Sequence, residues 1–170
     1  MRILFTFGLT GLMAAPVLAA DMEISVEIPK LDVSEYHRPY VAIWLEGPGQ
    51  KVAANLAVWY DVANAKKEGD KWLKDLRTWW RRAGRSLTVP ADGLTSATRA
   101  PGTHVVKIDA AHPALKDLAA GEYQLIIEAA REVGDREVVR IPFQWPPAQG
   151  TALTAKGEHE LGAVAVNVTP

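Results

Sequence analysis

Met22-Glu23-Ile24-Ser25-Val26-Glu27-Ile28 alternates apolar and polar residues without a break. In a strand, successive side chains point to opposite faces, so this pattern dictates a strand half buried in a sheet. Pro29 closes it. Similar stretches recur down the chain. Tyr40–Glu46 runs into Gly47-Pro48-Gly49 and is followed by Val52–Tyr60, which predicts a hairpin. His104–Asp109, Glu122–Ala130, Arg136–Trp145 and Glu160–Val168 complete the set, with Gly134-Asp135 as a turn. About seven short strands with turn residues between them predict a mainly β chain. The spacing points to a β-sandwich, immunoglobulin-like in the broad sense. Trp44 and Trp59 lie on neighbouring strands and are expected to pair across one sheet face.

One segment breaks the period of two. From Asp70, a helix cap, Trp72, Leu73, Leu76, Trp79, Trp80 and Ala83 follow at helical spacing, and Gly84 supplies the stop. The spacing predicts one inserted α-helix near residues 70–83 whose apolar face packs on a sheet. Trp72, Leu76 and one of Trp79 and Trp80 are expected in the core. Consecutive helical residues diverge by about 100°, so the other of Trp79 and Trp80 sits at the core margin, within reach of a ligand. The opposite face carries Lys71, Lys74, Arg77, Arg81 and Arg82 against Asp75.

Met1-Arg2, an apolar run from Ile3 to Leu18 and Val17-Leu18-Ala19 describe a secretory signal peptide, residues 1–19, cleaved after Ala19. Residues 20–170 then form a single domain, exported to the periplasm, with no later segment able to cross a bilayer. Losing Arg2 with the signal leaves 18 basic residues against 20 acidic. No excess of charge steers the domain to nucleic acid. The chain has no cysteine, which excludes disulfides, zinc–thiolate sites and thiol nucleophiles. His37, His104, His112 and His159 are scattered singly, without metal-ligand spacing, so no metal site is expected from local sequence. His37 and His104 remain the pair for a metal site assembled through the fold. No serine has nucleophile-elbow glycines, and there is no phosphate-binding glycine loop or dinucleotide fingerprint. No catalytic residue is assigned. Arg38, Arg99 and Arg131 fall at strand edges or loops and would make a pocket for an anionic group if they converge.

Between the helix and the fourth of these strands lies Asp92-Gly93-Leu94-Thr95-Ser96-Ala97-Thr98-Arg99, a polar stretch of small residues expected to be an exposed loop. Asp92-x-x-Thr95-Ser96-Ala97-Thr98 resembles the acceptor motif of covalent flavinylation, with Ser96 where glycine is common. That resemblance implies FMN held by a phosphoester on Thr98, donated from FAD by a separate magnesium-dependent flavin transferase. Asp92, Thr95, Ser96 and Ala97 would be recognition residues. Arg99 would attend the phosphate, and Trp79 or Trp80 would flank the isoalloxazine.

Longer segments carry a second resemblance. Tyr36-His37-Arg38-Pro39-Tyr40-Val41-Ala42-Ile43-Trp44, Trp72-Leu73-Lys74-Asp75-Leu76-Arg77, Ala97-Thr98-Arg99-Ala100-Pro101-Gly102 and Glu128-Ala129-Ala130-Arg131-Glu132-Val133-Gly134 are similar to a predicted periplasmic family, domain of unknown function 2271. The resemblance implies a neighbourhood of flavin transferases and PepSY-type membrane proteins, hence extracytosolic electron transfer by a carrier rather than an enzyme. The alternative is a cofactor-free binding or scaffolding module that presents a sheet edge or its basic helix to a membrane redox or iron-related partner.

Overall fold

The computed structural model describes residues 20–63 and 68–170. The expected signal peptide lies outside the described residues. Nine strands form among them: β1 (Asp21–Ile28), β2 (Tyr40–Glu46), β3 (Val52–Tyr60), β4 (Thr95–Ala97), β5 (Gly102–Ile108), β6 (Gly121–Ala130), β7 (Arg136–Trp145), β8 (Thr151–Lys156) and β9 (Ala163–Thr169). They make two open sheets, ordered β5-β1-β9-β8 and β4-β3-β2-β6-β7. All the pairings are antiparallel except that of β3 with β4.

The alternation of β1 sends Met22, Ile24, Val26 and Ile28 inward, where they meet Ile43, Leu45, Leu125 and Ile127 of the other sheet in a shared core. β2 and the second half of β6 are buried on both faces. Their sequences are accordingly near-continuous apolar runs, because a strand with no solvated face needs no polar alternate. The outer face of that sheet is covered by the helical segment, through Leu73, Leu76, Trp79 and Ala83 packed on Ala42, Trp44, Val58 and Ile126.

The predicted Trp44–Trp59 pair does not form. Register shifts interrupt the pairing of β2 with β3, and Trp44 lies opposite Asn55. Leu56 and Ala57, though consecutive, both join the inter-sheet core. A bulge of this kind adds one residue and reverses which face later side chains take. Trp59 therefore ends in the inter-sheet core and Trp44 in the outer one.

The single predicted helix is three pieces: a 3-10 turn over Gly69–Asp75, α1 (Arg77–Arg82) and a 3-10 turn over Gly84–Ser86. Leu76, with ψ 68°, is the break. At three residues per turn, residues i and i+3 eclipse. Leu73 and Leu76 thus share the buried side, while Trp72 and Asp75 share another. Trp72 is 53% exposed, against the expectation that it belongs to the core. Gly69 begins the segment because a Cβ there would collide with the Asp61 carbonyl at the end of β3. A short α2 (Pro113–Lys116), opened by the His112 ring accepting the Ala114 N–H, seats Leu115 in the inter-sheet core.

Two strands escape the sequence pattern. β4 is three small residues, Thr95, Ser96 and Ala97, two of them polar. β8, Thr-Ala-Leu-Thr-Ala-Lys, does alternate, but with alanine on the inward face the contrast is faint. The residues Glu160 to Gly162, expected to start the last strand, are loop.

Candidate functional site

Antiparallel register brings the start of β2, the end of β3, the end of β6 and the start of β7 to one end of the five-stranded sheet. Tyr40 lies opposite Ala130, Ala130 opposite Arg136, and Val41 opposite Trp59. The parallel pairing of β4 puts Ala97 beside Tyr60 at the same end. There the residues after and before these strands line a cleft of about 840 Å³. Its walls are Tyr36 to Tyr40, the turn from Arg131 to Arg136, the Trp72-to-Arg77 segment, and Thr98. The volume falls within the roughly 300–1,000 Å³ of small-molecule and cofactor sites.

Four arginines and four carboxylates line the cleft, so its wall is balanced in charge rather than a general funnel for anions. Two of the arginines are held by carboxylates. Arg131 is bidentate to Glu160, at 2.9 and 3.1 Å, with side chains 6% and 3% exposed. Arg136 reaches the fully buried Glu128 at 2.7 Å and the Thr78 hydroxyl at 3.2 Å. Glu128 also accepts the backbone N–H groups of Thr78 and Trp79. A carboxylate from β6 therefore satisfies donors in the first turn of α1 that a helix leaves unpaired. Arg38 and Arg77 have no ion pair among the described residues.

The Arg131 guanidinium lies 6.0 Å from the Tyr36 ring, and Gly134 packs so closely that a Cβ would overlap the guanidinium. The Arg131 Nη1 and the Tyr36 hydroxyl are buried and find no hydrogen-bond partner among the described residues. Burial pushes the Tyr36 phenol above its ordinary value, the Arg131 charge acting in the opposite sense. Burial also raises Tyr40, whose hydroxyl donates to the Gly69 carbonyl at 3.0 Å.

Glu160 is itself held from beneath. Glu137 accepts the backbone N–H groups of Glu158, His159, Glu160 and Leu161 at 2.6–3.1 Å. Burial works to raise its pKa, but these four donors together outweigh it and hold the carboxyl below the ordinary glutamate value. A depressed carboxylate contributes stability that is complete above the unfolded pKa, about 4.3, and disappears as pH falls through the folded one. Glu137→Ala is therefore expected to cost about 1–2 kcal/mol at neutral pH. The difference between variant and wild type should shrink once the pH drops below about 4. Urea midpoints across that range check this; a cost that stays constant with pH would contradict it.

Of the residues expected at a cofactor site, Thr98 lies on the cleft wall. Its backbone N–H donates to the Tyr60 carbonyl, and its hydroxyl makes no hydrogen bond with the described residues. The neighbouring hydroxyls are engaged. Thr95 Oγ1 accepts the Ala91 N–H and donates to the Ala91 carbonyl. Ser96 Oγ accepts from Arg99 at 3.2 Å. Arg99 lies 5.2 Å from the Trp59 ring and does not line the cleft. Asp92 is exposed on a turn next to Gly93, whose φ is +72°. Ala97 is exposed on β4, so this stretch is partly strand rather than all loop.

Trp79 is fully buried, its indole N–H donating to Asn55 at 2.8 Å, and Trp80 is half-buried beside it. Neither lines the cleft with Thr98. Trp72 does, and so do Arg38 and Arg131 of the three arginines expected to converge. Tyr36, Arg77 and Arg136 join them without having been expected. His37 lines the cleft and meets Glu35 at 2.8 Å, whereas His104 packs edge-on against Trp59. Among the described residues no three His, Asp or Glu side chains gather as a metal set.

The fold and the cleft define a mainly β protein of two stacked sheets, with a small-molecule-sized cleft at one end of the larger sheet. Among the described residues no helix is long and apolar enough to cross a membrane. The chain belongs to the DUF2271 family, described as predicted periplasmic proteins, which it matches over residues 21–163. Neither the curated proteins nor the solved structures contain a match to it.

Proposed function

We propose that this is a periplasmic electron-transfer protein on an immunoglobulin-like scaffold, exported by its N-terminal signal and carrying FMN covalently on Thr98. The observation that carries the reading is the state of the Thr98 hydroxyl. It has no hydrogen-bond partner among the described residues, whereas those of Thr95 and Ser96 are committed. It also borders a cleft that combines the exposed indole of Trp72 with two arginines, Arg38 and Arg77, that have no ion pair among the described residues. In the attachment step, Thr98 Oγ1 attacks the FMN-side phosphorus of FAD. The bond to the bridging oxygen of the pyrophosphate breaks and AMP leaves. The threonine proton passes to a base of the flavin transferase, so no oxidant or reductant is consumed. Arg38 and Arg77 would face the phosphodiester charge, and the donors of Arg131 and Tyr36 suit a ligand rich in acceptor atoms. Bound there, FMN supplies one- and two-electron transfer. The chain itself acts as a carrier, with a PepSY-type membrane protein as the partner the family context suggests.

Co-expression with a flavin transferase and export tests this. The intact mass of the mature protein is expected to carry the FMN increment, and Thr98→Ala to lose it completely. An unmodified wild-type mass, or an increment that survives Thr98→Ala, would overturn it. The exposed bases Lys71, Lys74, Arg77 and Arg81 favour a second reading, a cofactor-free module that docks an acidic partner through this face. A colourless protein whose partner binding weakens steeply with salt would support that reading instead.

A further inference from the structure

We infer that Trp72 is the platform on which the planar ring of the cleft's ligand stacks; this rests on the reading of Thr98 as the FMN attachment site. An indole is large and apolar, and a tryptophan left 53% exposed forgoes burial that the outer core next to it could supply. The 3-10 geometry of Gly69–Asp75 is what turns it away. With three residues per turn, Leu73 is delivered to the sheet and Trp72 to the cleft. The Lys74 ammonium lies 5.5 Å from the Trp72 ring centroid, and Lys74 is not part of the cleft wall. The lysine thus occupies the indole from outside the cleft and leaves it a surface on the wall that Thr98 shares. Trp79 and Trp80, the other tryptophans of the segment, line no part of this cleft. Trp72 is therefore the one tryptophan able to meet a ring tethered at Thr98, and offset stacking is the arrangement two such π-systems prefer.

A stacked indole quenches flavin emission by donating an electron to the excited ring, so fluorescence per bound FMN reads the contact directly. Wild-type protein, Trp72→Ala and Trp72→Tyr, each co-expressed with the transferase, are compared at equal FMN content fixed by intact mass. Trp72→Ala is expected to keep the FMN increment and to emit several-fold more per flavin. Trp72→Tyr, which keeps an electron-rich ring, should stay close to wild type. Because Trp72 is half exposed, its truncation leaves both cores intact. FMN-bearing Trp72→Ala with wild-type emission overturns the inference while leaving the Thr98 reading standing. A wild-type protein without the FMN increment overturns the Thr98 reading, and the inference falls with it.

Discussion

Glu128→Ala is expected to lower the unfolding free energy by about 3–5 kcal/mol. The side chain is fully buried and serves three donors: the N–H groups of Thr78 and Trp79 and the Arg136 guanidinium. Arg136, about two-fifths exposed, can return to water once its partner is gone. The two amides cannot, because Thr78 and Trp79 are buried against the sheet. Most of the cost is thus the desolvation of orphaned backbone, which no surface rearrangement repairs. Glu128→Gln keeps an acceptor oxygen but loses the charge, and should fall between wild type and alanine. Urea unfolding followed by tryptophan fluorescence measures both. A loss for Glu128→Ala of less than about 1 kcal/mol would contradict this account of the helix start.

Arg131→Met should be comparably damaging, again about 3–5 kcal/mol, for the opposite reason. Here the group left behind is a charge. Glu160 is 3% exposed and would keep the Asp135 N–H as a partner but no cation. The double variant Arg131→Met with Glu160→Gln separates the two possible meanings of the pair. If the cost is an uncompensated buried carboxylate, the double variant regains most of what the single one lost, since removing both ions together can be nearly neutral. Additive losses would mean that packing around Tyr36 and Gly134, rather than charge, is what Arg131 supplies.

The strands were legible where period-two alternation, or an unbroken apolar run with turn residues at each end, marked them. β2, β3 and β7 form over the residues expected. Legibility failed where information lay outside the local pattern. The bulge at Leu56-Ala57 is a property of the pairing with β2, so the separation of Trp44 from Trp59 could not be read from either strand alone. The stripe of residues 72 to 83 matches a helix at 3.6 residues per turn. It does not reveal that the first half winds at three, and that difference carries Trp72 from core to cleft. Thr98 and two of the three arginines singled out do share the cleft. The helix-margin argument holds for Trp79 and Trp80, since α1 buries the first and leaves the second half-buried, but the margin Trp80 occupies is not the cleft that Thr98 lines. Arg136 carried no distinguishing signal, because what selects it is antiparallel register over distant segments, and Arg77, one of five bases on the predicted polar face, is selected by how the helical layer packs on the sheet.

The two cores lie on opposite faces of one sheet, and this divides the molecule along a plane. The inter-sheet side is knitted by strand ladders and by residues from both sheets. The helical layer is fastened mainly by a few side chains and by the carboxylate of Glu128. Such a layer can open on its own at a free energy below that of global unfolding. Trp72, Asp75 and Arg77 belong to it, whereas Tyr36, Arg131 and Thr98 stay with the strands. How long the cleft persists is therefore a question of how firmly this one layer adheres, and a protein that remains folded by every global measure can still lose one wall of its cleft.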